Sequence, residues 1–355
     1  MAQVKVSGLE DLEAHLRQVI AFPDTQLDAK LFDDVELQLN ETNIPPIIPR
    51  LLPQLTQILL TYEKDPSLLA SMIIKLLRPM KFTEALTLAS EDALIQALRS
   101  PAPSANLLAM TIIGKATRSP GDTAILSIMK GVIESLIHTW LSTPHVEVGE
   151  RATQMLGDLL EVDCDRRISA GIDTKMSGLQ IAGGMAPGQG LLWRRIFHDR
   201  EIYGLLLSLC SFHTSGDGEH QLDKRQKSLA QGRLLRLLPR LSCLDFYTVS
   251  HSQFPDIDRQ YGIPDGEEGL LYFAMVDMVN KEEDMLMHIT LIDLFVELLV
   301  VMSTTELTQT TMKYLANLVN TVAGADKTLY KSLESIARNP ESPPELVDLL
   351  VKLSE

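Results

Sequence analysis

The chain has 355 residues, 45% hydrophobic and 22% charged, with 47 acidic against 32 basic side chains and a net charge of −15. That length exceeds one ordinary compact core and predicts two domains or a repeat array. An aromatic content of 5% argues against a β protein, and Cys164, Cys210 and Cys243 are too few and too widely spaced for a disulfide framework, which fits reduced thiols in the cytosol or nucleus.

In chain order, MAQVKVSGLEDLEAHL lacks the apolar core of a secretory signal. Helices are predicted over 45–61, 82–98 and 122–141, each followed by a second helix starting near Pro66, Ser104 and Pro144. The third pair is the plainest. AILSIMKGVIESLIHTWL carries Ile125, Ile128, Met129, Val132, Ile133, Leu136, Ile137 and Trp140 on one broad face. In the turn that follows, Thr143 is the expected N-cap and Pro144 the first helical residue. The partner helix repeats the stripe at Val148, Ala152, Met155, Leu156 and Leu159. Neither helix buries so wide a stripe alone. A two-helix unit recurring at about 40 residues points to HEAT or armadillo repeats, and Val148, Arg151, Ala152, Leu156, Gly157 and Leu160 resemble the second helix of a HEAT unit. The expected fold is therefore an all-α, curved HEAT/armadillo-like solenoid.

The rhythm breaks after Val162. Residues 171–190 hold six glycines and no helical stripe, so 164–190 is expected to be a mobile insertion or hinge between repeat blocks 1–163 and 191–355. The second block is expected to carry loops at 212–227 and 250–267. Further helices are predicted near 199–211, 268–279, 283–302, 305–321, 326–338 and 343–354. MLMHITLIDLFVELLVVM (285–302) is long and apolar enough to suggest a membrane span. Asp293 and Glu297 inside it would each cost roughly 2.5–3.5 kcal/mol, which argues for a packed core helix instead.

Between the first two irregular regions lies GLLWRRIFHDREIYGLLLSLC. Gly190, Leu192-Trp193-Arg194-Arg195-Ile196-Phe197, Asp199 and Ile202-Tyr203 resemble the family of proteasome non-ATPase regulatory subunit 5, and more its fungal branch, which also bears a DNA mismatch repair label. The resemblance implies a non-enzymatic chaperone for assembly of the proteasome regulatory particle. Its expected partners are the C-terminal domain of an AAA+ ATPase subunit and other base assembly intermediates. It implies no cofactor, no direct nucleic-acid or membrane binding, a monomer, and a cytoplasmic location extending to the nucleus. The alternative is a scaffold or adaptor in nuclear transport or mismatch repair. Trp193 is expected in the core, among Ile196, Phe197, Ile202 and Tyr203, with Arg194, Arg195 and Arg200 at the edge.

Other chemistry is weaker. AGGMAPGQG (182–190) lacks the Gly-Lys-Ser/Thr ending of a phosphate loop. Cys210, His213 and His220 are too few for a zinc site. Cys243, Asp245 and His251 are near in sequence but carry no catalytic signature. Lys224, Arg225, Lys227, Arg233, Arg236 and Arg240 lie on an amphipathic helix predicted to end at or soon after Pro239, with no aromatic residue for base stacking, and read as a solvated basic edge paired with the acidic third of the chain. Charge is divided unevenly: −8 over 1–163, +4 over 164–250 and −11 over 251–355. Within that acidic third, Asp277, Glu282, Glu283, Asp284, Asp293 and Glu297 are expected to form a partner-binding strip.

Overall fold

Several helices start where a short polar side chain takes up an orphan N–H group, and several end where a side chain from elsewhere takes up orphan carbonyls. The computed structural model describes residues 6–62, 64–165, 187–212, 222–264 and 268–354. Among these residues every regular element is helical. The helices pack in sequential pairs, as in a helical repeat array, within two compact units, residues 1–116 and 117–355.

The first unit contains α1 (Leu9–Ala21), α2 (Ala29–Glu36), α3 (Ile44–Leu59), α4 (Ser67–Leu77), α5 (Phe82–Leu86), α6 (Glu91–Arg99) and α7 (Pro103–Ile113). Helix α3 tolerates Pro49 and Pro53 because both lie on its exposed side, where water can meet the carbonyls they leave unpaired. Its inward stripe is Ile44, Ile47, Leu51, Leu55 and Ile58. The single helix predicted over 82–98 is two. Ser90 starts α6 afresh by accepting the Ala93 N–H at 3.2 Å. The end of α6 is closed by Asn106, whose amide donates to the carbonyls of Ala97, Leu98 and Ser100. The end of α4 is closed by buried Lys115, which donates to Leu77 at 2.7 Å and Met80 at 3.0 Å. Leu52, Leu59, Ile73, Leu77 and Leu108 line an apolar groove of about 290 Å³ in this unit.

The second unit opens with α8 (Pro120–Ile128), α9 (Lys130–Ser142) and α10 (Val146–Asp163). The continuous helix expected over 122–141 is broken at Met129, and its halves diverge by 94°. Met129 leaves helical geometry at ψ 70°, and the Ser127 carbonyl near the break is taken by the Arg195 guanidinium at 2.9 Å. Ile125 and Ile128, expected in the core, are exposed. Thr143 is not the N-cap of the next helix. It closes α9, its hydroxyl accepts the His145 N–H, and α10 starts at Val146.

Then come α11 (Leu191–Phe197), α12 (Arg200–Cys210) and α13 (Lys224–Leu244). Helix α11 has no side-chain cap of its own. Buried Asp163, at the end of α10, supplies one: its Oδ2 accepts the N–H groups of Leu192 at 2.7 Å and Trp193 at 3.2 Å, and its carbonyl accepts Gly190 N–H at 2.8 Å. Burial pushes the Asp163 carboxyl above its usual range, against the pull of those N–H donors. The two ends of the Gly-rich stretch therefore meet. Of that expected insertion, 166–186 lies outside the described residues, as does 213–221 of the next expected loop. The rest of that loop is shorter than expected, because α13 already begins at Lys224, with Asp223 and Gln226 forming a capping box. It also runs through Pro239 to Leu244.

Helix α13 is the mast of the unit. It packs on α9 and α10, on α12, and on α17 (Met285–Ser303). Packing does not part where the repeat pattern breaks, because α9 and α10 share their apolar faces with α11–α13 across the Gly-rich stretch. The expected loop at 250–267 contains α15 (Pro255–Gln260), reached from α13 through α14 (Phe246–Ser250). Within that region Tyr203 donates to buried Asp258 at 3.0 Å and its ring meets Phe254. The helix expected at 268–279 is a short α16 (Leu270–Tyr272) followed by a π-helical turn, Phe273–Asp277. The chain ends with α18 (Gln309–Ala325), α19 (Lys327–Arg338) and α20 (Pro344–Ser354), close to the expected positions.

Candidate partner-binding surface

Helix α17 is apolar on most sides, but its neighbours cover only part of it. Met287, Leu291, Leu294, Phe295, Leu298, Leu299 and Met302 are buried, and the helix packs on α13, α19 and α20. By length and composition alone it could cross a membrane. Its outer edge instead mixes apolar and acidic side chains. Leu286 is 74% exposed, Met285 66% and Ile289 50%, and Asp293 and Glu297 follow them as exposed carboxylates. An apolar centre beside a charged rim is the make-up of a protein-binding patch.

The six acidic residues of the expected strip have different roles. Glu282, Asp293 and Glu297 are exposed. Glu283 is exposed too, and meets Lys224 at 3.0 Å in a bridge that water screens. Asp284 is the N-cap of α17, accepting the Met287 N–H at 3.0 Å and the Ser228 hydroxyl at 2.8 Å. Asp277 is set apart in the π-helical turn, half-buried and turned to Gly262. Burial, together with the Asp277 charge, pushes the Glu268 carboxyl up.

The basic run of α13 is divided: Lys224 and Arg225 are exposed, Lys224 meeting Glu283 of the acidic third, whereas Arg233, Arg236 and Arg240 turn to α9 and α10. Arg233 is buried and donates to the carbonyls of Trp140 and Thr143, each at 2.8 Å, which end α9. Arg240 bridges Asp158 and Glu161, and Arg236 pairs with Glu150. With their guanidinium groups where they are, Arg233 and Arg240 lie directly over glycines of α10. A Cβ at Gly149 would lie 2.2 Å from the Arg233 Nε, and one at Gly157 would lie 2.3 Å from an Arg240 nitrogen. The HEAT-like glycine of α10 is thus the seat of an arginine from α13.

Cys243, Asp245 and His251 do line one cavity, of about 580 Å³. They are not arranged as a nucleophile, base and acid. Asp245 caps α14 through Thr248, His251 Nδ1 lies against the Ser250 hydroxyl at 2.8 Å, and burial and Glu161 push the Cys243 thiol up, away from the reactive thiolate. Cys210 is fully buried and its thiol is pushed higher still. His213, His220 and the 182–186 part of the glycine loop lie outside the described residues. Among the described residues no cluster of three His, Cys, Asp or Glu could hold a metal ion.

A family model described as DNA mismatch repair protein HSM3, N terminal domain, matches residues 7–158. The match covers the first unit together with α8, α9 and most of α10, and stops before the Leu192–Tyr203 string. No curated protein matches the chain.

Proposed function

We propose, from the match of residues 7–158 to the HSM3 N-terminal domain model, that this chain is a non-catalytic chaperone for assembly of the proteasome regulatory particle base. It binds the C-terminal domain of an AAA+ ATPase subunit and other base intermediates, acts as a monomer, and works in the cytoplasm and nucleus. The observation that carries the reading is the α17 edge. Exposed Met285, Leu286 and Ile289 beside Asp293 and Glu297 suit a partner with an apolar ridge and a basic flank. Glu282, Glu283 and Asp284 extend the acidic field at its start, and Asp277 stands apart from it. No membrane and no nucleic acid enters this reading; Arg233, Arg236 and Arg240 of α13 are engaged inside the unit.

Association with purified ATPase C-terminal domains tests it. Replacing Asp293 and Glu297 together by Lys should slow association roughly five- to tenfold at low salt. The effect should shrink as salt rises, because exposed charges are screened beyond about 8 Å at physiological ionic strength. Melting should hardly change, since both side chains are exposed. Equal association rates at low salt would remove the strip from the binding surface.

A second reading comes from the family description, which names mismatch repair. A repair or transport adaptor built on the same helices would recover repair proteins or import receptors, and no ATPase subunits, from cells.

A further inference from the structure

We infer that the outward side of α17 receives an amphipathic helix of a partner protein, one whose apolar seam is bordered on one flank by Lys or Arg. The buried residues of α17, from Met287 to Met302, occupy one side of the helix. On the other side Met285 and Ile289 are exposed, and Ile292, Val296 and Val300 are half-buried. At 3.6 residues per turn these five fall on one strip about 80° wide, and at 1.5 Å per residue the strip runs for about 22 Å. Leu286, Asp293 and Glu297, all exposed, form a second row directly beside it.

A straight apolar strip about four turns long asks for a rod that carries its own backbone hydrogen bonds. A strand would bury N–H and C=O groups against side chains that cannot meet them. A helix packed at a shallow angle meets such a strip through residues three and four apart along its whole length. The apolar strip gives the contact, and the carboxylates select the flank. Asp293 and Glu297 stay hydrated at the rim, as charges beside a helix–helix seam do, where their sign sets partner and orientation more than affinity. A second copy of this chain is a poorer occupant. An antiparallel α17 pair sets acidic rim against acidic rim, and in a parallel pair α17 itself offers that rim no Lys or Arg. The partner helix rests on the reading of α17 as the binding surface, and not on which protein carries it.

Fluorescence anisotropy of two labelled helical peptides, titrated with the full chain, tests it. Both have the same composition, the length of the strip, and leucines three and four apart. One carries its lysines along one flank of the leucines, the other on the far side of the helix. The flank peptide should bind at least about threefold more tightly at low salt, with the gap narrowing as salt rises. Ile289→Ser should weaken its binding at least about fivefold. Replacing Asp293 and Glu297 together by Lys should abolish its advantage over the far-side peptide. All three side chains are exposed, so melting curves serve as the folding control. Equal binding of the two peptides, full affinity in Ile289→Ser, an advantage kept in the double reversal, or dimerisation of the chain that Ile289→Ser abolishes would overturn the assignment. Failure of the peptides alone, with ATPase C-terminal domains still bound, would remove the partner helix and leave the proposed role. Peptide binding without those domains would keep the helix and remove the role.

Discussion

Trp193→Ala is expected to lower the stability of the second unit by about 3–5 kcal/mol, the range for truncating a large buried aromatic side chain. Trp193 is 4% exposed and stacks on Phe197 at 5.3 Å. Its indole N–H donates to the Leu160 carbonyl at 2.8 Å, so the truncation opens a cavity and also strands a buried acceptor. The loss should show in urea unfolding followed by the fluorescence of the remaining Trp140. Trp193→Phe, which keeps most of the volume, should cost about 1–3 kcal/mol, mainly through the stranded carbonyl. Unchanged unfolding with lost partner binding would make Trp193 a contact residue instead of core.

Arg233→Met is the second large expected effect, about 2–4 kcal/mol. The guanidinium reaches the Trp140 and Thr143 carbonyls at 2.8 Å and the His145 carbonyl at 3.4 Å. Methionine keeps the stem but leaves those acceptors in a dry contact with α10. The loss is moderated because burial already lowers the Arg233 pKa, so ionised arginine is not at ease there. Thermal unfolding decides the point: a melting temperature equal to wild type would show that water or another donor closes α9.

These two residues also mark where the sequence was legible and where it was not. Trp193 sits among apolar residues at helical spacing, so its burial follows from local pattern, as does the all-α pairing. Arg233 does not read that way, because a basic residue on a helix looks solvated until its neighbour's bare carbonyls are known. The same holds for Lys115 at the end of α4, Asn106 at the end of α6 and Arg195 near the end of α8. Helix ends were placed from local signals such as Gly and Pro, yet among the described residues the glycines at positive φ are only Gly8, Gly190 and Gly262. Side chains from elsewhere meet the carbonyls at or near the ends of α4, α6, α8 and α9, and no local residue marks them. Some helix starts were more legible, since Asp284 and Asp326 cap close to the expected positions, whereas the local caps Ser90 and Asp223 went unread inside an expected helix and an expected loop. The acidic strip was legible as charge. Its internal division was not, because whether Asp284 caps a helix or Asp277 turns to Gly262 depends on folding partners.

Affinity isolation of the chain from cells at low salt tests the proposed role most directly. Recovery of proteasome base ATPase subunits, lost when Asp293 and Glu297 are both replaced by Lys, is the expected result. Recovery of mismatch-repair proteins or import receptors with no ATPase subunit would contradict it.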